Sequence, residues 1–485
     1  MAGTGFPRAG LPFVFQTASF ALLAWAAAGV RWFRNCVFAP LALLMALYFP
    51  VGFNYGLANE GQIASLFATD ALEAGEFLGT LAWWQCAVPF FLAAGLWLFY
   101  RIIGRRGLFL KGKAAWALLI AALALAAAAG DFRPAHRTGR FVKQAWTETR
   151  SLAKIDIGSD WKDVRAEPRH RICLLVIGES ERRDYLHAYG YPVPNTPFMD
   201  SVPGVIYEGF TSEGDNTLPS LKKALTWTVP SGKPFEPRLN LIDLARDAGY
   251  STAWFSNQGY ATRFDTPVTA VAARAERSVW LKLGVTAANN YYDDELLPLI
   301  EKEIARSDSR PKLIVAHLLG SHTNPCERVR DKDRLLAPEG AELGEIACYG
   351  ETVRQTDEWL RRARDLLAAS GESWSILYFS DHGLSHTEFK GRPVLRHGPV
   401  GGLQREVPLF SFASDDTEQR RVKGLRYGRN FTEGAAAWLG IRSEQLPAPR
   451  SLFDAVPDVP DAALESELKA RRQDRAIDLT AAAGS

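Results

Sequence analysis

The 485-residue chain exceeds one ordinary domain and carries 56 Lys and Arg against 54 Asp and Glu, a formal net charge of +2. That balance, with no clustered Lys and Arg, argues against a nucleic-acid partner, because neutralising a phosphate backbone needs a concentrated basic surface. The composition is uneven: residues 12–130 are dominated by Leu, Ala, Phe and Trp, whereas everything after Asp131 has mixed charge and the short apolar runs of a globular domain.

Four uncharged apolar stretches, Pro12–Val30, Cys36–Tyr55, Phe77–Tyr100 and Ala114–Gly130, approach the ~20 residues that cross a bilayer, so 1–130 is predicted to be a transmembrane domain. Arg31 and Arg34 follow the first stretch, and Arg101, Arg105, Arg106, Lys111 and Lys113 follow the third, while Gly56–Glu76 has acids and no Lys or Arg. The positive-inside bias makes the basic loops cytoplasmic, and Gly56–Glu76, the N-terminus and all residues after Asp131 outward-facing. A signal peptide at Pro12–Val30 is disfavoured, since the stretch is long and a second span follows closely with no obvious cleavage site. In the outward loop, Ile63, Leu66, Phe67, Leu72 and Phe77 form one apolar helical face, with Asp70, Glu73 and Glu76 elsewhere, which predicts a helix lying along the membrane surface.

Residues 131–169 read as a linker on that surface, 170–455 as the exported domain and 456–485 as a C-terminal tail. Within the domain, Arg171–Ile177, Ser251–Phe255, Lys312–Leu318 and Ser375–Phe379 are short apolar runs typical of buried parallel strands. Helix-like stretches Asn240–Gly249, Asp294–Ala305 and Thr352–Ala369 precede the last three, so the pattern is an α/β sheet with helices on both faces. Ligand-binding groups of such sheets collect beyond the strands' carboxyl ends. Here those ends read Gly178-Glu179-Ser180, Ser256-Asn257-Gln258, Gly320-Ser321-His322 and Ser380-Asp381-His382-Gly383.

Five cysteines are too few for a disulfide framework. Cys36 and Cys86 fall in spans and Cys173 in the first strand. Cys326 and Cys348 flank a charged loop in an oxidising compartment and are expected to be joined, closing about 23 residues for roughly 3 kcal/mol in the chain-entropy model.

Glu179, Asp381 and His382 supply two carboxylates and an imidazole, a set suited to Zn²⁺ with one open position. A hydroxyl in that position would be turned into an alkoxide able to attack phosphorus. Thr217, in Asp215-Asn216-Thr217-Leu218-Pro219-Ser220, is the best candidate, because the helix-like run Leu218–Thr226 follows and would place it where free backbone N–H groups favour a phosphoryl anion. Taken singly, these residues read as turns, a first helical turn and an N-cap. Their placement at successive strand ends is what favours a common site. Of the eight histidines, His317 reads as core, His322 and His397 as ligands of substrate or a second metal, and His386 as a weaker candidate or a solvated residue; His136, His170 and His187 have no supporting company.

From Arg171 to about Asp416 the chain resembles the phosphoethanolamine transferases of the alkaline phosphatase and sulfatase superfamily. The matching motifs are Val176-Ile177-Gly178-Glu179-Ser180, Tyr189-Gly190-Tyr191-Pro192 with Asn195-Thr196-Pro197, His317-Leu318-Leu319-Gly320-Ser321-His322, and Tyr378-Phe379-Ser380-Asp381-His382-Gly383. The resemblance implies a sulfatase-like periplasmic domain anchored in the bacterial inner membrane, with Zn²⁺ held by Glu179, Thr217, Asp381 and His382. It implies that Thr217 carries phosphoethanolamine covalently, between a phosphatidylethanolamine donor and a lipopolysaccharide acceptor (core sugar or lipid A); a second ion during turnover is left open. His322 and His397 match histidines that handle the phosphate or the leaving group, and Asn257 matches a strand-end amide near them. Thr69 and Glu73 fall where the family's membrane-proximal loop lines the substrate pocket, Glu73 pairing with the donor's ammonium. The surroundings of Thr217 resemble the core-oligosaccharide branch. The family usually has five spans with a cytoplasmic N-terminus where four are found here, which leads to the expectation that a first helix is missing from this chain or its start codon misassigned. A phosphoglycerol transferase or membrane-bound hydrolase of the same fold, and a non-catalytic envelope sensor, are the alternatives. A formylglycine sulfatase is disfavoured, since Cys-x-Pro-x-Arg has no counterpart at Thr217 to Leu221.

Overall fold

The computed structural model describes residues 10–55, 63, 75, 78–79, 81–129, 136, 138–143, 147, 158–227, 236–260, 266–283, 292–330, 343–389, 391–398 and 400–480. The chain divides into two units, Met1–Asn59 with Phe77–Gln144, and Glu60–Glu76 with Ala145–Ser485.

The first unit contains helices α1 (Gly10–Ala28), α2 (Ala39–Tyr55), α3 (Trp83–Arg106) and α4 (Gly112–Ala129). A π-helical turn, Arg34–Phe38, leads into α2; Ala39 N–H reaches back to Arg34 O just before Pro40, which has no N–H to give. Leu23, Ala24 and Ala27 pack against Ala115, Leu119 and Ala122, small residues that let the backbones approach. Tyr100 donates to Ala24 O (3.1 Å) and Trp25 Nε1 to Leu108 O (2.8 Å). In the stretch of the third predicted span, α3 begins at Trp83, where Gln85 Oε1 accepts the Ala82 N–H (2.8 Å), and continues through Arg101, Arg105 and Arg106 to Gly107 at φ 63°. Arg101, Arg105 and Arg106 therefore extend a helix whose C-terminal carbonyls favour cations, and residues 107–111 form the loop. Among the described residues, Arg31–Phe53 and Trp83–Arg106 are long and apolar enough to cross a membrane, and Gly112–Ala127 is shorter. Leu44, Met45, Phe90, Phe91, Trp97 and Ile120 are exposed on this unit. Most of the predicted surface helix at Gly56–Glu76, including Thr69 and Glu73, lies outside the described residues.

The second unit is built on eight strands: β1 (Ile172–Gly178), β2 (Gly204–Thr211), β3 (Ser251–Tyr260), β4 (Arg277–Leu283), β5 (Lys312–His317), β6 (Trp374–Ser380), β7 (Leu409–Ala413) and β8 (Gln419–Tyr427). Their order is β8-β2-β7-β6-β1-β5-β3-β4. The four strands legible in the sequence, β6, β1, β5 and β3, are contiguous and mutually parallel at the centre, so their carboxyl ends share one edge. β7 runs antiparallel to both β6 and β2, and β8 is parallel to β2.

β1 is buried on both faces, and the period-two alternation of a strand divides its side chains between two cores. Ile172, Leu174 and Val176 join one core with Ile300, Val353, Trp359 and Leu360 from helices Leu297–Ala305 and Gly344–Ala369. Cys173, Leu175 and Ile177 join the other with Leu221, Ile242, Leu244 and Phe431 from helices Thr217–Ala224, Leu241–Asp247 and Phe431–Leu439.

The ends of the predicted linker and tail belong to the fold. Arg165–Ala166 pairs with Ile441–Arg442, and Trp161 is buried with Nε1 bonded to Asn240 O. Beyond 455, Ala462–Ala470 is helical, and the residues after it return to the domain, where Tyr191 donates to Ile477 O (2.7 Å). Polar side chains made this stretch read as a tail, yet they are the groups that bind it back.

Cys326, in the turn Pro325–Glu327, is disulfide-bonded to Cys348 in helix Gly344–Ala369, with Cα atoms 4.9 Å apart. Alkylation under denaturing conditions should modify two more cysteines per chain after reduction than before, read as intact mass. Cys326→Ala with Cys348→Ala should cost roughly 3 kcal/mol of stability; equal alkylation before and after reduction would contradict the bond.

Candidate metal and nucleophile site

Glu179 follows β1, and the chain reverses immediately after it: Ser180 sits at φ 61°, a backbone region that non-glycine residues seldom occupy and that costs on the order of 1–3 kcal/mol. The turn is held from three sides. Ser180 N–H donates to Asp381 Oδ1 (3.0 Å), Tyr349 donates to Ser180 O (2.6 Å), and Arg182 N–H donates to the Tyr349 oxygen (2.8 Å). Gly320, at φ 48°, lets the end of β5 pass beside Glu179, whose backbone N a Cβ there would meet at 3.0 Å.

Asp381 and His382 follow β6, and together with Glu179 they form a fully buried cluster with one ligand atom each, all within 4.8 Å of one another. His382 Nδ1 lies 2.8 Å from Gly383 O and donates to it, which leaves Nε2 facing Glu179 Oε1 (3.3 Å) and Asp381 Oδ2 (3.4 Å), free to carry a proton or to offer a lone pair to a cation. Asp381 Oδ2 is buried with no hydrogen-bond partner among the described residues. Burial and the neighbouring Glu179 push the Asp381 carboxyl up to about 8. Burial alone would lower His382, but Asp381 and Glu179 hold it up at about 9. Burial likewise opposes ionisation of Glu179, yet His382 keeps its carboxyl well below the usual range. Acceptor atoms thus converge on one point and gather protons there, which is where a divalent cation fits.

Thr217 opens helix Thr217–Ala224, with Asn216 extended before it. Its Oγ1 donates to Glu179 Oε2 (2.9 Å) and lies 3.4 Å from His382 Nε2, so the fourth position of the cluster is taken by a hydroxyl at a helix N-terminus. Ser220 Oγ donates to Asp381 O, tying the same helix to the β6 loop.

His397 and His322 stand behind the cluster: the His382 and His397 rings are 5.1 Å apart, and His397 Nε2 is 3.4 Å from His322 Nε2. Burial drives His322 well below its ordinary value and His397 down to about 3. Arg328 NH2 lies 3.2 Å from His322 Nδ1; a guanidinium only donates, so Nδ1 accepts and Nε2 carries the proton.

Asn257 stands elsewhere. Its Nδ2 donates to Asp293 Oδ1 (2.9 Å), whereas the next residue, Gln258, brings Nε2 to 3.3 Å from Glu179 Oε2 and 2.7 Å from Leu318 O. Both amides ended the same predicted strand; a register shift in β3 between Ser256 and Gly259 aims Gln258 at the cluster, and nothing in the sequence signals it. His317 is buried at the end of β5 beside Trp254, and burial lowers it to about 4. The solvated reading of His386 is corrected: it is buried, its ring bonded to Tyr185, Arg182 and Asp474, because the residues beyond 470 cover it.

The Sulfatase family model matches residues 171–441, more than half of the chain. A putative phosphoethanolamine transferase of Haemophilus influenzae is 35% identical over 73% of this chain and 74% of its own length. Phosphoethanolamine transferase OpgE of Escherichia coli is 32% identical over 84% of this chain and 80% of its own length. Among solved structures, the integral membrane lipooligosaccharide phosphoethanolamine transferase A of Neisseria meningitidis superposes with a TM-score of 0.64 over 92% of each chain at 15% identity, a likeness of fold. The periplasmic domain of Escherichia coli EptC gives 0.52 over 61% of this chain and 90% of its own, at 20% identity. This sheet with its buried acidic cluster is of the sulfatase type. The chain belongs to the phosphoethanolamine transferase family of the alkaline phosphatase superfamily and is a transferase.

Titration of the metal-stripped full-length protein with Zn²⁺ should saturate a buried site, and Asp381→Asn should weaken binding by more than about tenfold, the lower bound seen even for loss of an outer-shell partner. Equal affinity in the two proteins would remove Asp381 from the site.

Proposed function

We propose that the enzyme takes phosphoethanolamine from phosphatidylethanolamine onto Thr217 and passes it to a sugar hydroxyl of lipopolysaccharide, acting from the inner membrane with its α/β unit in the periplasm. The observation that carries this reading is the hydroxyl of Thr217 at a helix N-terminus, 2.9 Å from Glu179 Oε2 and 3.4 Å from His382 Nε2. The family supplies phosphoethanolamine as the group transferred, and the apolar exposed faces of α2 and α3 suit a bilayer that also holds a lipid donor. The lipopolysaccharide acceptor is supported by the resemblance of the residues around Thr217 to the core-oligosaccharide branch.

Glu179, Asp381, His382 and Thr217 would hold Zn²⁺; a solved structure of the Escherichia coli EptC periplasmic domain is a complex with Zn, at 19% identity. Bound there, the ion favours the alkoxide form of a hydroxyl and neutralises phosphoryl oxygens. The hydrogen bond to Glu179 Oε2 orients the Thr217 hydroxyl, whose proton ends on the departing diacylglycerol oxygen. Oγ1 then bonds to phosphorus as the bond from phosphorus to the diacylglycerol oxygen breaks. Free N–H groups in the first turn of helix Thr217–Ala224 face the developing charge. His322, neutral and protonated on Nε2, is placed to hydrogen-bond the departing oxygen without giving up that proton. In the second half an acceptor hydroxyl attacks the same phosphorus from the side vacated by diacylglycerol, the bond from phosphorus to Oγ1 breaks, and the acceptor's proton passes to Thr217 Oγ1.

Incubation with phosphatidylethanolamine should release diacylglycerol and leave phosphoethanolamine on the Thr217 peptide, read by mass spectrometry. Thr217→Ala should lower turnover by at least about 10³-fold. Wild-type turnover in Thr217→Ala would overturn the nucleophile. A preference for phosphatidylglycerol would replace the donor with a phosphoglycerol one.

A further inference from the structure

Four consecutive residues near the C-terminus, Arg471-Arg472-Gln473-Asp474, touch every loop that carries a group of the cluster, although they lie beyond the 171–441 span shared with the sulfatase family. Arg471 grips the segment before the nucleophile: its NH1 and NH2 donate to Asp215 Oδ1 (2.8 Å) and Oδ2 (3.2 Å), a two-pronged pair with both side chains about nine-tenths buried. Asp215 is two residues from Thr217. Arg472 pairs its backbone with the loop after His397, giving its N–H to Val400 O (3.1 Å) and accepting from Gly402 N–H (2.9 Å). Gly401 and Gly402 permit this approach, since a Cβ on Gly401 would strike the Asp474 carboxylate and one on Gly402 the Gln473 amide. Asp474 is buried; its Oδ2 accepts the His386 N–H (2.8 Å), four residues past His382, and an Arg182 NH1 donor (3.3 Å), three residues past Glu179.

We propose that Arg471–Asp474 is a clasp that sets the catalytic loops against one another, and that Arg471 is a positioning residue holding Thr217 in line through Asp215. Three loops come from separate strands, and their relative placement within a fraction of an ångström decides the rate of an in-line displacement. The pairing has the geometry that achieves this: a planar fork on a planar carboxylate fixes direction as well as distance, which a lysine ammonium reproduces only in part. Arg471 is itself steadied by Glu467 (2.6 Å) one turn earlier in helix Ala462–Ala470.

The inference rests on Thr217 being the nucleophile, and the experiment separates the two. Full-length protein in detergent is assayed with phosphatidylethanolamine as wild type, Thr217→Ala, Arg471→Ala, Arg471→Lys and Lys469→Ala, the last an exposed cation of the same helix, with bound metal and melting temperature measured for each. The clasp predicts that Arg471→Ala loses about 10- to 100-fold in kcat, with KM for the lipid within about twofold and metal content unchanged. Arg471→Lys should recover part of the loss and Lys469→Ala should match wild type. An Arg471→Ala enzyme that turns over like wild type would overturn the proposal. So would a loss that simply follows falling metal content or melting temperature, with no recovery in Arg471→Lys. A fully active Thr217→Ala would instead remove the nucleophile reading and leave the clasp without its target.

Discussion

Two carboxylates and one imidazole nitrogen meet in a fully buried cluster that a half-buried threonine hydroxyl joins, and the crowding of acceptor atoms there is the constraint on which the second unit depends. Acceptor atoms brought this close away from water need positive charge between them, as protons or as a cation. Three separate loops must resist being pushed apart. The answer visible in the molecule is a set of tight cross-ties: Ser180 N–H on Asp381, Ser220 on the Asp381 carbonyl, Tyr349 on the strained turn, and Gly383 O locking the His382 ring. None of these ties uses an atom needed by the cluster. Asp381 shows the division, since Oδ1 accepts two backbone N–H groups while Oδ2 is left for the pocket.

The central sheet was readable because its strands are buried on both faces and so stand out as apolar runs ending in polar residues. β1, β3, β5 and β6 obey that rule, and the cluster residues occupy the turns just beyond β1 and β6. The flanking strands break it. β8, Gln-Arg-Arg-Val-Lys-Gly-Leu-Arg-Tyr, is a charged edge strand of the kind that resists edge-to-edge pairing, and β7 alternates too briefly to be told from a loop. What periodicity could not give was direction at fine scale. Asn257 and Gln258 are adjacent and chemically alike, and only the β3 irregularity decides which of them reaches Glu179. The contacts of the residues past 455 were illegible for a related reason: their partners, Asp215, Val400, His386 and Arg182, are scattered across the sequence, so no local pattern announces them.

The first unit follows a different solvent logic. Its interior is lined by alanines with a few large residues, and its bulky apolar side chains lie on the outside, the reverse of the second unit, where Trp254, Trp359 and Tyr378 are fully enclosed. A sequence averaged over both would look unremarkable. Read by halves, it describes two bodies that fold by different rules, the one by close helix packing and the other by burying apolar surface on both sides of a sheet.

Strand order carries one more implication. β2 leads into the Thr217 segment, yet its neighbours are β7 and β8, both of which lie after residue 408. Two successive antiparallel steps bring β2 back into the same direction as β6, so its carboxyl end opens onto the same edge as the acidic residues. Thr217 is therefore synthesised early, whereas the strands that hold β2 in the sheet follow nearly two hundred residues later. Such long-range closure is slow. The sheet edge that Thr217 shares with Glu179 and Asp381 is complete only once β7 has been added between β2 and β6.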